Sequence, residues 1–379
     1  MLTTLRNAWK IPELRRKLGF TLLIILLYRI GNVIPVPFVR FDMMAEMFSA
    51  QLSNTIFGLM DMMSGSAFSQ ATIFALSIQP YINSSIIIQL LTIAIPALER
   101  LSKDGGEEGK KKITKITRLT TVALAVLMGF AYFMMLKNYN AQYNLLISDN
   151  FLAALVIIMT FVAGSTLVMW LGEEITEYGI GNGISIILFA NIIARVPTGI
   201  LKPLWNITFP SGDASSQWYW ALLLLVAMIA IIVFIIYVSN AERRIPVQYA
   251  KRVVGRKVYG GQNTHLPIKV NMSGVMPIIF AQSIASLPAT LCTFFGWTNS
   301  WLYKHAFSST TVIYTVFYLL LIIAFSYFYA TIQYNPVEVA NNLKKNGGFI
   351  PGFRPGRPTA DFIRKVINKI TLFGALYLG

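Results

Sequence analysis

Eight separate stretches of the chain are long and apolar enough to cross a bilayer, at about residues 19–36, 73–95, 119–136, 151–171, 184–201, 219–239, 273–295 and 312–333. A spanning helix needs roughly 20 predominantly apolar residues, and a soluble core has no use for eight such runs. Only 13% of the 379 residues are charged, about half the share of a soluble domain, and the mean hydropathy is +0.59. An ordinary soluble enzyme is excluded, and the expected fold class is an all-α polytopic membrane protein. A ninth run begins near Ile370 and reaches Gly379, too short to span, so the expectation is that the chain stops inside a ninth span.

The first run follows Arg15, Arg16 and Lys17, like the basic start of a signal peptide. Arg29 interrupts it, no small-x-small cleavage site follows, and many spans come after; it reads as a retained anchor. Positive charge then sets the orientation. The segment before the first span holds five Lys or Arg, and the stretches after spans two, six and eight hold seven each, so 26 of the 32 lie on one side. That side, including the N-terminus, is read as cytoplasmic. Two of these stretches, 240–271 and 334–369, are long, and long loops are usually functional. Arg243, Arg244, Lys251, Arg252, Arg256 and Lys257 suit ribosomal RNA phosphates or an acidic protein face; the plainer reading is a solvated hairpin.

The spans carry little chemistry. Asp and Glu are absent from their middles, which weakens a solute-transporter reading, since coupled transporters place carboxylates at mid-membrane. One Cys and two His leave no intrachain disulfide and no Cys/His zinc site. Gly179, Gly181 and Gly183 have neither a preceding strand nor a following Gly-Lys-Ser/Thr, so they are no phosphate loop. Glu173, Glu174 and Glu177 read as solvated acids rather than metal ligands.

Polarity sits instead in spans two and seven. Span two contains Gln79, Pro80, Asn83, Ser84, Ser85 and Gln89; span seven contains Pro277, Gln282, Ser283, Ser286 and Pro288. Both read as proline-broken helices whose amides and hydroxyls need partners or water. Ordinary interhelical hydrogen bonding and the border of a water-filled path both account for them. Ile78 and Ile82 share a face, as do Ile184 and Leu188. The segment Phe57–Phe68 is apolar but too short to span; an interfacial helix and a segment folded back into the protein fit it equally.

Two long stretches carry a resemblance. Ile73-Phe-Ala-Leu-Ser-Ile-Gln-Pro-Tyr-Ile-Asn-Ser-Ser-Ile-Ile-Ile-Gln-Leu-Leu91 and Trp170-Leu-Gly-Glu-Glu-Ile-Thr-Glu-Tyr-Gly-Ile-Gly-Asn-Gly-Ile-Ser-Ile-Ile187 resemble the two signatures of the SecY family, the central subunit of the bacterial protein-conducting channel. Tyr249-Ala-Lys-Arg252, Thr264–Asn271 and Asn342-Leu-Lys-Lys345 with Pro351-Gly-Phe-Arg-Pro-Gly356 are similar to its cytoplasmic loops.

The resemblance implies an inverted-repeat bundle of ten spans, of which eight and part of the ninth are present. Its halves would be residues 1–201 and 202–379, hinged like a clamshell. A pore ring falls at Ile78, Ile82, Ile184, Leu188 and Ile279. A plug at about 55–69 includes Phe57, Gly58, Leu59, Met60, Met62, Met63 and Gly65. The family's lateral gate lies between spans two and three and spans seven and eight; the polar residues there are Ser84, Ser85, Gln89, Gln282, Ser283 and Ser286. Docking of SecA and the ribosome is expected at the 240–271 stretch and at Arg354. The implied partners are SecE and SecG, the SecA ATPase, the translating ribosome, signal sequences with nascent secretory or membrane proteins, and the lipid bilayer, in the bacterial cytoplasmic membrane. The resemblance implies no catalytic residue, cofactor or metal. Ser77 and Gln79 depart from the family's usual glycine and apolar residue. A solute transporter and a pore-less insertase scaffold are the competing classes.

Overall fold

The computed structural model describes residues 9–52, 56–103, 105–209, 218–249, 252–254, 257–259, 263–294 and 311–379. Contacts divide the chain into two compact units: Met1–Asn206 with Ser286–Thr311, and Ile207–Ala285 with Val312–Gly379.

The first unit contains α1 (Pro12–Gly31), α2 (Phe41–Met47), α3 (Ile56–Ser64), α4 (Gln79–Ala94), α5 (Pro96–Lys103), α6 (Gly106–Tyr143), α7 (Phe151–Tyr178), α8 (Gly183–Ala194) and most of α9 (Lys202–Thr208). A π-helical turn, Pro197–Leu201, joins the last two. Helices α4, α6 and α7 pack side by side. The second unit contains α10 (Trp218–Asn240), β1 (Glu242–Tyr249), β2 (Arg252–Val254), β3 (Lys257–Tyr259), β4 (Asn263–Lys269), the first part of α11 (Met276–Phe294), α12 (Val312–Gln333), α13 (Pro336–Lys345), β5 (Gly348–Phe349) and α14 (Arg357–Leu378). Each of the eight apolar runs therefore carries a helix. Five helices among the described residues can span by length and composition, or six if the bent pair α4–α5 counts as one. In α10 nearly every large apolar side chain is exposed, as expected of a helix solvated by lipid.

Four sequence expectations change. Span two is not one helix broken at Pro80. Residues 73–78 form turns, with Ser77 at φ 48°, and α4 starts at Gln79 with the proline in its first turn. A missing N–H costs nothing there, because the first amides of a helix have no partner anyway. Pro277 likewise stands at the start of α11, and only Pro288 lies inside it. The basic stretch after span two is largely helical, because α6 begins at Gly106 and carries Lys110, Lys111 and Lys112. The ninth helix begins at Arg357, well before the apolar run from Ile370.

The stretches 240–271 and 334–369 are also more than loops. Strand β1 pairs antiparallel with β4 along one edge and with β5 along the other. One apolar cluster joins them: Ile245, Val247 and Ile268 from the first stretch, Leu343, Ile350, Ile363 and Ile367 from the second, and Ala330 of α12. The alternation of buried Ile245 and Val247 with exposed Arg244 and Pro246 along β1 marks a half-buried strand. Its short length within a charge-rich segment hides that signal in the sequence.

The cluster predicts that Ile268→Ala, which empties a site only 1% exposed, loosens the sheet by about 2–4 kcal/mol. Amide exchange in β1 and β4 should accelerate at least about thirtyfold while α6 and α7 stay protected. Unchanged exchange in β1 would show that the cluster does not hold the sheet.

Candidate functional site

The candidate residues of the first unit meet around Gly172 of α7. A methyl group placed on Gly172 would lie 3.4 Å from Ile78 Cδ1, 3.6 Å from Ile187 Cδ1 and 3.7 Å from Ile184 Cγ1. Three isoleucines from two signature stretches thus converge on one glycine. The approach is possible because α8 starts backbone-to-backbone against α7: a side chain on Gly183 would run into the Gly172 carbonyl oxygen. Small residues permit such close helix contacts in membranes. The start of α8 is held by Asn182, whose side chain accepts the Ser185 amide at 3.2 Å, and by Thr176 Oγ1, which accepts the Gly183 amide at 2.9 Å. The glycine run is therefore a packing device.

Ile78 precedes α4, and its carbonyl accepts the Ile82 amide at 3.0 Å, so the two stand one turn apart as their spacing predicts. Both are buried, while Ile184 and Leu188 are half-buried. Ile187, which sequence reasoning missed, is fully buried beside them. Ile279 belongs to the second unit, half-buried on α11. Glu173 is taken up in an ion pair with Arg118 at 2.8 Å.

The Phe57–Phe68 segment is folded back into the protein. Helix α3 packs on α8, and Phe57, Met60, Asp61 and Ser64 are buried. Gly58, Met63 and Gly65 are half-buried and Met62 is exposed; the Leu59 side chain lies outside the described residues. Phe68 anchors the segment from behind. Its ring stacks on Phe57 at 5.8 Å and meets Tyr132 edge-on at 4.7 Å, and its carbonyl accepts the Tyr132 hydroxyl at 2.6 Å. Asn191 donates to the Met63 carbonyl at 2.8 Å, and Asn32 to the Ser64 carbonyl at 3.3 Å. Gln79, next to Ile78, donates to Met63 Sδ at 3.3 Å, which places α3 beside the isoleucine cluster. An ion pair joins Asp61 to Arg195 at 3.0 Å. Neither residue stands out in the sequence: Asp61 lies outside the spans, and Arg195 lies within a hydrophobic stretch.

Of the polar residues on α4, Ser84 is fully buried and donates to the Thr117 carbonyl of α6 at 2.8 Å. Ser85 is half-buried and Gln89 exposed. On α11, Ser283 donates to the Ile279 carbonyl at 2.9 Å. Tyr318 donates to Gln282 Oε1 at 3.3 Å, yet among the described residues the buried Gln282 Nε2 has no hydrogen-bond partner. The Ser286 side chain lies outside the described residues.

The basic residues of the second unit stand on its small sheet. Arg243 and Arg244 are exposed on β1, and Arg244 pairs with Glu242 at 2.7 Å. Arg252 and Lys257 lie on the paired strands β2 and β3, where only the backbone is described; Lys251 and Arg256 fall outside the described residues. Arg354 is exposed between Gly352 and Gly356, whose φ values of 89° and 110° suit glycine. Its turn is held by the Thr359 hydroxyl donating to the Arg354 carbonyl at 2.8 Å and by stacking of Phe353 on Phe362 at 4.2 Å.

A polytopic helical protein with a short helix folded in beside an isoleucine cluster is a membrane channel in outline. The SecY family model matches residues 72–379. A protein translocase subunit SecY of Streptomyces scabiei is 45% identical, with 100% of this chain and 88% of the relative covered. Among solved structures, a protein-conducting channel superposes with a TM-score of 0.67 at 18% identity, covering 96% of this chain and 84% of that one. Sec61 from a canine ribosome–channel complex of the endoplasmic reticulum gives 0.59 at 15% identity, covering 96% and 84%. The chain belongs to the SecY family. It is a multi-pass membrane protein and a subunit of the channel that passes unfolded secretory chains across the membrane and releases membrane segments sideways into it. The solute-transporter reading is not favoured.

Proposed function

We propose that this chain works as the passive pore of a translocase whose constriction is built from Ile78, Ile82, Ile184, Leu188 and Ile279. The observation that carries the reading is the convergence of Ile78, Ile184 and Ile187 on Gly172, with α3 lying against its edge through the Gln79–Met63 contact. Aliphatic side chains offer an ion no ligands to replace its water, so a narrow ring of them blocks conduction by dewetting. Helix α3, as the plug, covers the ring at rest. The chain has no chemistry of its own; SecA hydrolysing ATP, or the translating ribosome, supplies the drive. SecE and SecG complete the assembly in the bacterial cytoplasmic membrane, with the N-terminus of this chain cytoplasmic. Residues 1–201 and 202–379 are the two halves that part.

Replacing Ile82 and Ile184 together with Ser removes the apolar seal. The resting current of single channels in a planar bilayer without substrate should rise about tenfold or more, the effect of roughly 1.4 kcal/mol on a two-state equilibrium. A near-zero resting current in the double variant would count against the ring.

The lateral gate in this reading runs along Ser85 and Gln89 of α4 and Gln282 and Ser283 of α11. The Gln282 amide, buried and without a partner among the described residues, supports it, because a buried donor is costly to leave unsatisfied. Hydrogen bonds of this kind average about 0.6 kcal/mol in membranes, weak enough to part for a signal sequence. Cysteine pairs joining Ser85 or Gln89 to Gln282 or Ser283 should crosslink and stop export. Efficient export through a crosslinked channel would remove the gate assignment.

The docking face is the small sheet with its flanking turn, where Arg243, Arg244 and Arg354 are exposed on one folded unit. Ribosomal RNA phosphates and an acidic SecA surface both suit such arginines, and the ribosome-bound canine Sec61 shares the fold. Charge reversal at Arg243 or Arg354 should cut partner-driven export at least about tenfold while leaving insertion and melting temperature unchanged. Parental export by both variants would overturn the docking role.

A further inference from the structure

The Asp61 carboxylate is 1% exposed. Its Oδ2 lies 3.0 Å from Arg195 Nη1, and its Oδ1 accepts the Ser69 amide at 2.8 Å. Arg195 follows the last residue of α8, and its side chain is 35% exposed. The pair thus ties the middle of α3 to the end of the helix that carries Ile184 and Leu188. Among the described residues, the contacts of α3 and its following turn with Asn191, Asn32, Gln79 and Tyr132 are neutral and Asp61–Arg195 is an ion pair. A second guanidinium, Arg29, stands beside that turn, its Nη1 3.2 Å from where a Cβ on Gly65 would lie, and donates to the Ala190 carbonyl of α8 at 2.6 Å.

Resting on the reading of α3 as the plug, we propose that the Asp61–Arg195 ion pair is the latch that keeps it seated, with Arg195 a positioning residue that sets how rarely the resting channel opens. A buried carboxylate is held in place by its counter-charge. When α3 leaves its seat, Asp61 and Arg195 separate, and each then has to find water. The cost of release therefore depends on the charged pair and falls when the pair is absent.

The exposures make the two partners unequal. Without Asp61, Arg195 is one-third exposed and is not sealed inside the protein. Without Arg195, the Asp61 carboxylate stays buried and uncompensated, a far more damaging state. Arg195→Gln should therefore open the resting channel more than Asp61→Asn does, and adding Asp61→Asn to Arg195→Gln should repair it. A side chain that merely fills space would behave in the opposite way, with damage accumulating in the double variant.

The test uses the assembled channel in planar bilayers without substrate, comparing the parent, Asp61→Asn, Arg195→Gln, Arg195→Lys, the double variant Asp61→Asn/Arg195→Gln, and a control lacking residues 57–65. Resting current should rise about tenfold or more for Arg195→Gln and about two- to threefold for Asp61→Asn. The double variant should return to the Asp61→Asn level, and Arg195→Lys, which keeps the charge, should stay within about twofold of the parent. If Arg195→Gln does not insert, restoration of insertion by the second substitution is the same rescue read as yield. A double variant as leaky as Arg195→Gln or worse, or equally uninserted, overturns the latch. A parental current in Arg195→Gln also overturns it, provided the control leaks. A parental current in the control instead removes the plug reading on which the latch stands.

Discussion

Hydrocarbon offers no hydrogen bonds, and this one constraint organises the first unit. Each backbone amide and carbonyl at membrane depth must find its partner inside the protein, which is why the apolar runs fold as helices. The same rule decides where irregular backbone can go. Residues 65–78 are turns rather than helix, yet their main-chain groups are matched: Ile73 donates to the Ile34 carbonyl at 3.0 Å, Val36 to Ala71 at 3.1 Å and Ala75 to Thr72 at 2.9 Å. Phe74 stacks on Tyr28 with ring centroids 5.3 Å apart. Non-helical backbone is tolerated there because it is wrapped in protein, and wrapping it brings α3, α1 and α8 together at one place.

Helix existence was legible from hydropathy alone, because each apolar run has to be a helix once it lies in lipid. Helix ends were not. Pro80 and Pro277 look like breaks in a run of apolar residues, yet they are starts, since a proline in the first turn forfeits no bond. The small sheet was hidden for a different reason. Strand β1 alternates over a few residues only, and β5 is two residues long, so neither leaves a periodic signal. What joins them is the long-range cluster around Ile268 and Ile350, which no local pattern reports.

At the site, periodicity and family resemblance together single out the i,i+4 pairs Ile78/Ile82 and Ile184/Leu188, and one member of each, Ile78 and Ile184, lies beside Gly172. Ile187 was missed because it sits between the two members of a chosen pair and looked like ordinary lipid-facing apolar sequence. Its signal is in the glycines: Gly172 and Gly183 leave the room into which it and Ile78 pack. Asp61 gives no sequence signal because it lies outside the spans, whereas a short segment folded back into the protein buries it to 1% exposure. A lone acid in an apolar segment too short to cross is worth pairing with a lone base in a neighbouring run; Arg29 and Arg195 are both such bases, and Arg195 is the one that meets Asp61.

In the proposed reading, the ring and the fastenings of α3 answer two different physical demands. A constriction that must widen around chains of any sequence is best made of contacts without direction, because dispersion and apolar packing change smoothly as side chains slide apart. Such contacts confer little on one geometry over another. Directional bonds do the reverse: the Asn191, Asn32 and Tyr132 donors hold α3 in one place and weaken steeply with displacement, while the Asp61–Arg195 attraction falls off more gradually with distance. Gln79, which follows Ile78 and donates to Met63, would then couple seal and fastening through one residue at the start of α4. A ligand that binds only when the helices part shifts the equilibrium by its differential affinity for that state. It has to overcome the directional contacts once, after which the apolar ring yields by degrees.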